Sequence, residues 1–356
     1  MHLWYLRNIR ATKVFHALMK LRLKFFKHCD RVVFMNLSRK FLVIFVCCCI
    51  VIGASFGAVH YIATNKSATK QNTIVYIPSG SGLLRVSWIL KNNGLIHTPW
   101  HFRLISSLKG ENGSLRAGEF EIMAGASVED ILLTITKGEL YKRLLTIPEG
   151  SSNIQVAEIL DMAPGLEKPT IMPEEGYLLP DTYFYHYGSK SSDILEQMAQ
   201  KLTFELDLLW YQRPDDFPLM SKHELLTLAS IVEKETSLDR ERTRVAAVFL
   251  NRLKKGMRLQ SDPTVIYGIT GGKLLDRRLT KADIKQKTEY NTYRINGLPP
   301  GPIANPGIAS IKAVLMAEPV KDLYFVADGT GGHAFATTLR DHNRNVKKWR
   351  RIRDSQ

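Results

Sequence analysis

An uninterrupted run of 23 uncharged residues, 41–63, constrains this chain more than any other feature. The run reads FLVIFVCCCIVIGASFGAVHYIA, and no polar face appears in it before His60. A helix of about 20 apolar residues is long enough to span a bilayer, whereas a surface helix of a soluble protein carries a polar face. The run therefore predicts a transmembrane helix.

The charges on either side of this run predict its orientation. Residues 1–40 hold ten Lys or Arg against one acid, Asp30, within a formal net charge of +15 for the whole chain. Because Lys and Arg favour the cytoplasmic side, we predict a cytoplasmic tail at 1–40, an uncleaved signal anchor at 41–63 and an exported remainder. A cleaved signal peptide is the alternative, but its apolar run would be about 7–15 residues long. Since one short tail supplies most of the excess charge, we predict no nucleic-acid partner.

The cysteines and histidines limit the chemistry of the exported part. Of four cysteines, Cys29 precedes the anchor and Cys47, Cys48 and Cys49 lie within it. The exported part therefore has no disulfide, no thiol nucleophile and no cysteine metal site. Its histidines show no HExxH spacing, and no phosphate-binding glycine loop is present. We predict neither a metal nor a cofactor.

An internal repeat predicts the domain organisation. Residues 77–90 and 147–160, at an offset of 70, are identical at seven of fourteen positions, and 125–135 is a weaker third copy. Each copy predicts a strand end, a Pro/Gly turn and a helix, the unit of LysM-type carbohydrate-binding modules, although turn-plus-cap sequences also match by chance. We predict an α+β fold with these parts: a linker at 64–73, a LysM-like module at 74–140, a larger α+β domain at 141–346 and a basic tail at 347–356.

Local signals predict further elements in the larger domain. Apolar periodicity predicts helices at about 191–208, 222–236 and 239–255. Ser221-x-x-Glu224 is a capping box for the second helix, and Gly256 suits the C-terminal end of the third. Strand-like segments lie near 263–269 and at 323–327.

The most informative segment for chemistry is LLTLASIVEKET, 225–236. On a helical wheel, Leu225, Leu228, Ala229 and Val232 form one apolar stripe, and Glu235 lies at its margin. Desolvation there raises the pKa of a carboxyl and suits a general acid, whereas a solvated glutamate paired with Lys234 or Arg240 is the ordinary alternative. The wheel alone does not choose between Glu233 and Glu235.

Residues 147–345 resemble the endolytic murein (peptidoglycan) transglycosylases of the MltG/YceG type. The motifs that carry the resemblance are IPEG (147–150), EGYLLPDTYFY (175–185), ASIVEKE (229–235), LQSDPTVIYG (259–268), YNTY (290–293), GLPPGPIANPG (297–307) and YFVADGTGGHAF (324–335). The cytoplasmic tail is longer and more basic than is usual in that family, and SDP stands where TDP is also common.

The resemblance implies lytic cleavage of glycan strands by one acid, Glu235, with Glu233 in a supporting role. It implies a substrate cleft formed by Gln260, Ser261, Asp262, Asn291, Tyr293, Asn305, His333 and Phe335. It also implies peptidoglycan as substrate, an anchor in the inner membrane with the catalytic domain in the periplasm, and peptidoglycan synthases as partners. Two alternatives stay open: a non-enzymatic glycan-binding cell-wall scaffold, and a muramidase in which Asp262 is the second carboxylate.

Overall fold

A computed structural model of the chain describes residues 19–20, 39–66, 69–169 and 171–354. The rest of the tail, including Cys29, lies outside the described residues. Over the described residues, helix α1, Arg39–Thr64, is the one helix long and apolar enough to cross a membrane, and none of its most apolar stretch is buried. It covers the predicted anchor. The chain divides into two compact units, Met1–Glu139 and Leu140–Gln356.

The first unit contains a small α+β module. Its elements are β1 (Thr73–Ile77), α2 (Leu83–Asn92), α3 (Pro99–Leu108), β2 (Gly118–Ile122) and α4 (Val128–Lys137). The strands pair antiparallel, with Val75 opposite Phe120, and both of these side chains are buried. Helix α4 begins with a reciprocal capping box between Ser127 and Asp130.

The second unit holds the remaining elements. Its strands are β3 (Arg143–Thr146), β4 (Thr182–Tyr185), β5 (Tyr324–Ala327) and β6 (His333–Ala336). They form two antiparallel two-stranded sheets, β3–β4, whose strands are separated in the chain by α5, and the hairpin β5–β6. Its helices are α5 (Asn153–Met162), α6 (Ser191–Tyr211), α7 (Lys222–Glu235), α8 (Asp239–Lys254), α9 (Asp262–Thr270), α10 (Lys281–Lys285), α11 (Ile308–Leu315) and α12 (Leu339–Asp354). The strand–turn–helix units predicted at all three repeat copies are present as β1–α2, β2–α4 and β3–α5.

Helix α7 lies at the centre of the second unit. The eight consecutive residues 225–232 are buried, so α7 is covered on every side and not only along the predicted stripe. Its neighbours α6, α8 and α11 contribute Leu202, Phe249 and Val314 to the same apolar core. This packing fixes the direction in which the exposed C-terminal end of α7 presents its last residues.

One predicted element is wrong: 263–269 is not a strand but most of helix α9. The β-branched residues Thr264, Val265 and Ile266 suggest a strand, but Pro263 occupies the first turn of the helix, where a missing N–H costs nothing. Gly271, with φ 62°, ends the helix in the left-handed conformation. The residues that begin and end the helix therefore outweigh the β-propensity of the residues between them. The strand predicted at 323–327 is present as β5.

The capping box predicted for α7 is met only in part. Ser221 caps α7 by accepting a hydrogen bond from the Glu224 N–H, but the Glu224 carboxylate accepts from the Met220 N–H instead of completing a capping box. At the C-terminus, residues 347–354 continue α12, and the ring of His342 on this helix stacks on Tyr324 with centroids 5.1 Å apart. The described part of the basic tail is thus helical.

Candidate active site

Glu235 is the last residue of α7, at the point where the helix leaves the apolar core. Its half-buried carboxylate accepts a hydrogen bond of 2.6 Å from the Ser261 hydroxyl. Lys234, the ordinary partner considered from the sequence, is exposed and donates to the Gly150 carbonyl instead, at 3.1 Å.

Burial raises the pKa of Glu235 from its ordinary value of 4.5 to about 7. The negative charge of Asp262 also raises this pKa. The hydrogen bond from Ser261 and the charges of His333 and Arg252 lower it. Desolvation is the largest of these causes. A carboxyl in this state holds a proton near neutral pH and can give it up, which is the requirement for general acid–base catalysis.

A cluster of buried hydroxyl groups holds Ser261 in place. The Ser261 N–H donates to the Thr292 hydroxyl at 2.9 Å, and the Thr264 hydroxyl donates to the Ser261 carbonyl at 2.7 Å. The two threonine hydroxyls are themselves 2.8 Å apart. Gln260 precedes this cluster with φ 53°, the one positive φ of a non-glycine residue in the described ranges. Such strain persists where the surroundings enforce it, so the direction of the Ser261 hydroxyl is fixed by the fold.

Asp262 and Tyr293 form the exposed side of the same site. The Tyr293 hydroxyl donates to the Asp262 carboxylate at 2.7 Å, and burial together with that carboxylate raises the pKa of Tyr293. Tyr293 is half-buried and Asp262 is exposed, while Gln260 is exposed beside them. The structure therefore brings Glu235, Ser261, Asp262 and Tyr293 together.

His333 is held by a carboxylate that the sequence did not single out. Glu241, on α8, accepts hydrogen bonds from the His333 N–H at 3.2 Å and from its Nδ1 at 2.8 Å. The bond at Nδ1 leaves Nε2 as the ring nitrogen available to other groups. A Cβ on Gly332 would lie 2.6 Å from Glu241 Oε1, so the bare glycine permits this close approach.

Arg252 is a second residue that sequence reasoning missed. Its buried guanidinium donates to the carbonyls of Leu259 and Leu323, at 2.5 and 2.7 Å, and lies over the Tyr324 ring. It thus joins the segment before Ser261 to the β5 hairpin. The available signal was its position three residues after Phe249, on the apolar face of α8.

Three of the predicted cleft residues serve the fold in this structure. Asn291 is buried and donates to the carbonyls of Ile284 and Gln286, while Asn305 is buried and accepts from the Leu178 N–H. Phe335 packs on the α7 core, with the Arg244 guanidinium 4.3 Å from its ring centroid. Amide and aromatic side chains suit a sugar-binding cleft as well as the interior of a fold. Only their tertiary neighbours distinguish a substrate-binding role from a structural one.

Glu233 also connects segments of the fold. Its carboxylate accepts a hydrogen bond of 2.9 Å from the Gly307 N–H, at the start of α11. Glu149 approaches the same glycine, and burial, followed by the charge of Glu233, raises the pKa of Glu149. Glu233 therefore has a structural partner, whereas Glu235 faces the polar cluster of the site.

The fold and the site define an α+β protein that presents a half-buried carboxyl of raised pKa among hydroxyl and aromatic groups. The model of the YceG-like family matches residues 75–348. The chain belongs to this family.

Individual relatives agree with the family assignment. A Bacillus subtilis (strain 168) protein named endolytic murein transglycosylase is 33% identical over an alignment of 314 residues, and the match covers 79% of this chain and 86% of the relative. A Streptococcus pneumoniae protein of the same name is 28% identical, and the match spans 78% of this chain and 58% of that relative. The crystal structure of a YceG-like protein from Listeria monocytogenes superposes with a TM-score of 0.50 at 30% identity, covering 78% of this chain and 99% of that one.

Proposed function

We propose that this chain is a membrane-anchored endolytic peptidoglycan transglycosylase. It cleaves the bond between N-acetylmuramic acid and N-acetylglucosamine within nascent glycan strands and leaves 1,6-anhydromuramyl ends, which terminates strand elongation. The single observation that carries this proposal is Glu235, a carboxyl with a pKa near 7 held by Ser261 at the mouth of a polar site. Membership of the YceG-like family and the names of the relatives support it.

One carboxyl is sufficient for this reaction because the nucleophile is part of the substrate. Hydrolysing glycosidases generally use two carboxylates on either side of the bond. In lytic cleavage the C6 hydroxyl of the same muramic acid attacks C1, and a well-oriented intramolecular group reaches an effective molarity of up to about 10⁵–10⁸ M. Protonated Glu235 gives its proton to the leaving glycosidic oxygen and, as a carboxylate, then takes the proton of the C6 hydroxyl. The C1–O bond to the leaving sugar breaks, the C1–O6 bond forms, and no water is consumed.

The surrounding residues adjust this proton transfer. The Ser261 hydroxyl stabilises the carboxylate form of Glu235, and the charge of Asp262 stabilises the protonated form. Because Tyr293 donates to Asp262, this second carboxylate is held in one position at the exposed side of the site. A pKa near the working pH serves a group that must act as acid and then as base.

The anchor predicts where the reaction occurs. Helix α1 is apolar enough to span a membrane. The basic residues before it support an orientation with the N-terminus in the cytoplasm and the second unit in the periplasm. A tether to the inner membrane keeps the enzyme near newly made strands. Peptidoglycan synthases, which elongate those strands, are the partners that this position implies.

The proposal is tested by mass spectrometry of purified sacculi treated with the full-length chain in detergent. We compare wild type, Glu235→Gln and Asp262→Asn. Internal anhydromuramyl ends from wild type, absent with Glu235→Gln, are the expected result. Reducing ends in place of anhydro ends would identify a muramidase, and their loss with Asp262→Asn would make Asp262 its second carboxylate. Binding to sacculi without any cleavage would favour the glycan-binding scaffold.

A further inference from the structure

A cavity of about 290 Å³ opens beside the proposed active site, within the second unit. It lies between the first turn of α5, the last turn of α7 and helix α9, and we call it the α9 cavity. Its apolar lining comes mainly from Ile266, Tyr267, Leu274 and Leu275. Its volume is close to the lower end of ligand-binding cavities, about 300 Å³.

The charged residues that line the α9 cavity are all positive. Lys234, Lys273 and Arg277 line it, and none of its lining residues is Asp or Glu. Arg277 is neutralised by Asp283, at 2.6 Å. Within the described ranges, neither Lys234 nor Lys273 forms an ion pair. The Lys234 ammonium donates one hydrogen bond there, to the Gly150 carbonyl. Two ammonium groups over an apolar surface favour a ligand that carries carboxylates and small apolar groups.

One side of the cavity is held in place by contacts within the protein. The Ser152 hydroxyl donates to the Gly272 carbonyl at 2.6 Å, which ties the loop after α9 to the start of α5. Gly272 has φ 96°, and a Cβ there would lie 2.8 Å from the Ser152 Cβ. A preformed cavity loses little free energy to ordering when a ligand binds.

The position of the cavity connects it to the reaction. Lys234 directly precedes Glu235, and the lining residue Pro263 directly follows Asp262. The cavity thus borders the two segments that carry Glu235 and Asp262, although neither of these residues lines it. On a muramic acid ring, the substituent that carries both carboxylates and methyl groups is the peptide attached to its lactyl group.

Building on the proposed function, we propose that the α9 cavity binds the peptide stem of the muramic acid at the cleavage site. Stem carboxylates pair with Lys234 and Lys273, and the alanyl methyl groups lie against Ile266 and Leu274. The enzyme therefore prefers strands that still carry their peptides, as newly made strands do.

The test compares intact strands with strands from which an amidase has removed the peptides. For the full-length chain, we expect kcat/KM to be about tenfold higher on intact strands. Lys273→Gln lowers this ratio about tenfold, as expected for one charge-assisted contact. The matched control is Lys281→Gln, an exposed lysine on α10 that does not line the cavity, and it leaves the ratio unchanged.

A binding measurement keeps this inference separate from the chemistry. Glu235→Gln is titrated with the free tripeptide stem by calorimetry, with and without Lys273→Gln, and binding that is lost with the second substitution is expected. Equal wild-type kcat/KM on both kinds of strand, or a ratio that Lys273→Gln does not change, overturns the peptide site. If no strand is cleaved, the proposed function fails, and the titration still decides whether the cavity binds the peptide.

Discussion

Replacement of Glu235 by Gln separates the charge of this residue from its shape. Burial raises the pKa of Glu235 from 4.5 to about 7 in the folded chain. Between these values the folded state binds more protons than the unfolded state, so stability is lost as the pH rises through this window. Gln is neutral at every pH, and its side-chain oxygen accepts the same hydrogen bond from Ser261. The substitution Glu235→Gln therefore removes the loss of stability at high pH.

The magnitude follows from the two pKa values. At about 1.4 kcal/mol for each tenfold change in the ionisation constant, the window from 4.5 to about 7 corresponds to roughly 3 kcal/mol. We expect Glu235→Gln to be more stable than wild type by up to this amount at pH 8, and similar to it at pH 4.5. For a unit of this size, about 2–4 °C per kcal/mol gives an increase of about 6–12 °C in the thermal midpoint.

The assay is thermal unfolding of the full-length chain in detergent, followed by circular dichroism from pH 4.5 to 8.5. Glu233→Gln, the same substitution two residues away on α7, is the matched control. In parallel, wild-type kcat/KM falls about tenfold per pH unit above pH 7, because the acid is then ionised. A Glu235→Gln difference that is the same at pH 5 and pH 8 would refute the argument from desolvation.

Four further substitutions test the groups around this carboxyl. Ser261→Ala removes a hydrogen bond that lowers the pKa of Glu235, so the alkaline limb of the pH–rate profile moves to higher pH. Asp262→Asn removes a negative charge that raises the pKa of Glu235, so the alkaline limb moves to lower pH. If the limbs of these two variants moved in the same direction, the electrostatic assignment would be contradicted. Glu241→Gln weakens the contact that orients the His333 ring. We expect kcat/KM to fall about tenfold and the thermal midpoint to stay within about 3 °C of wild type. Unchanged kinetics would show that the contact is only structural. Gly332→Ala places a methyl group against Glu241 and is expected to reproduce that kinetic loss, measured in the same assay.

Local sequence signals predicted much of the secondary structure. The uncharged run at 41–63, the glycine at 256 and the repeated Pro/Gly turns each act over a few residues, and α1, the end of α8 and the strand–turn–helix units follow them. At 263–269 two local signals disagreed. The structure shows that Pro263 and Gly271 at the ends outweighed the β-branched residues between them, because terminal hydrogen bonding fixes a short helix.

The candidate site was predictable in its residue types but not in its contacts. The apolar stripe left Glu233 and Glu235 open, and only the resemblance of the surrounding motif favoured Glu235. The same amide chemistry made Asn291 and Asn305 look like cleft residues, yet both are buried and bond the backbone of the fold. An amide that binds a sugar and one that secures a loop have the same sequence signature.

By itself, the sequence determined an apolar helix long enough to span a membrane and the α+β class, because periodicity, charge and turn chemistry are local properties. Only the tertiary structure decided that Ser261 reaches Glu235 from 26 residues away, that Arg252 joins two segments, and that Glu241 holds His333 across 92 residues. The raised pKa of Glu235 belongs to this second group. Desolvation depends on which distant segments exclude water from a side chain, and packing in three dimensions sets that arrangement.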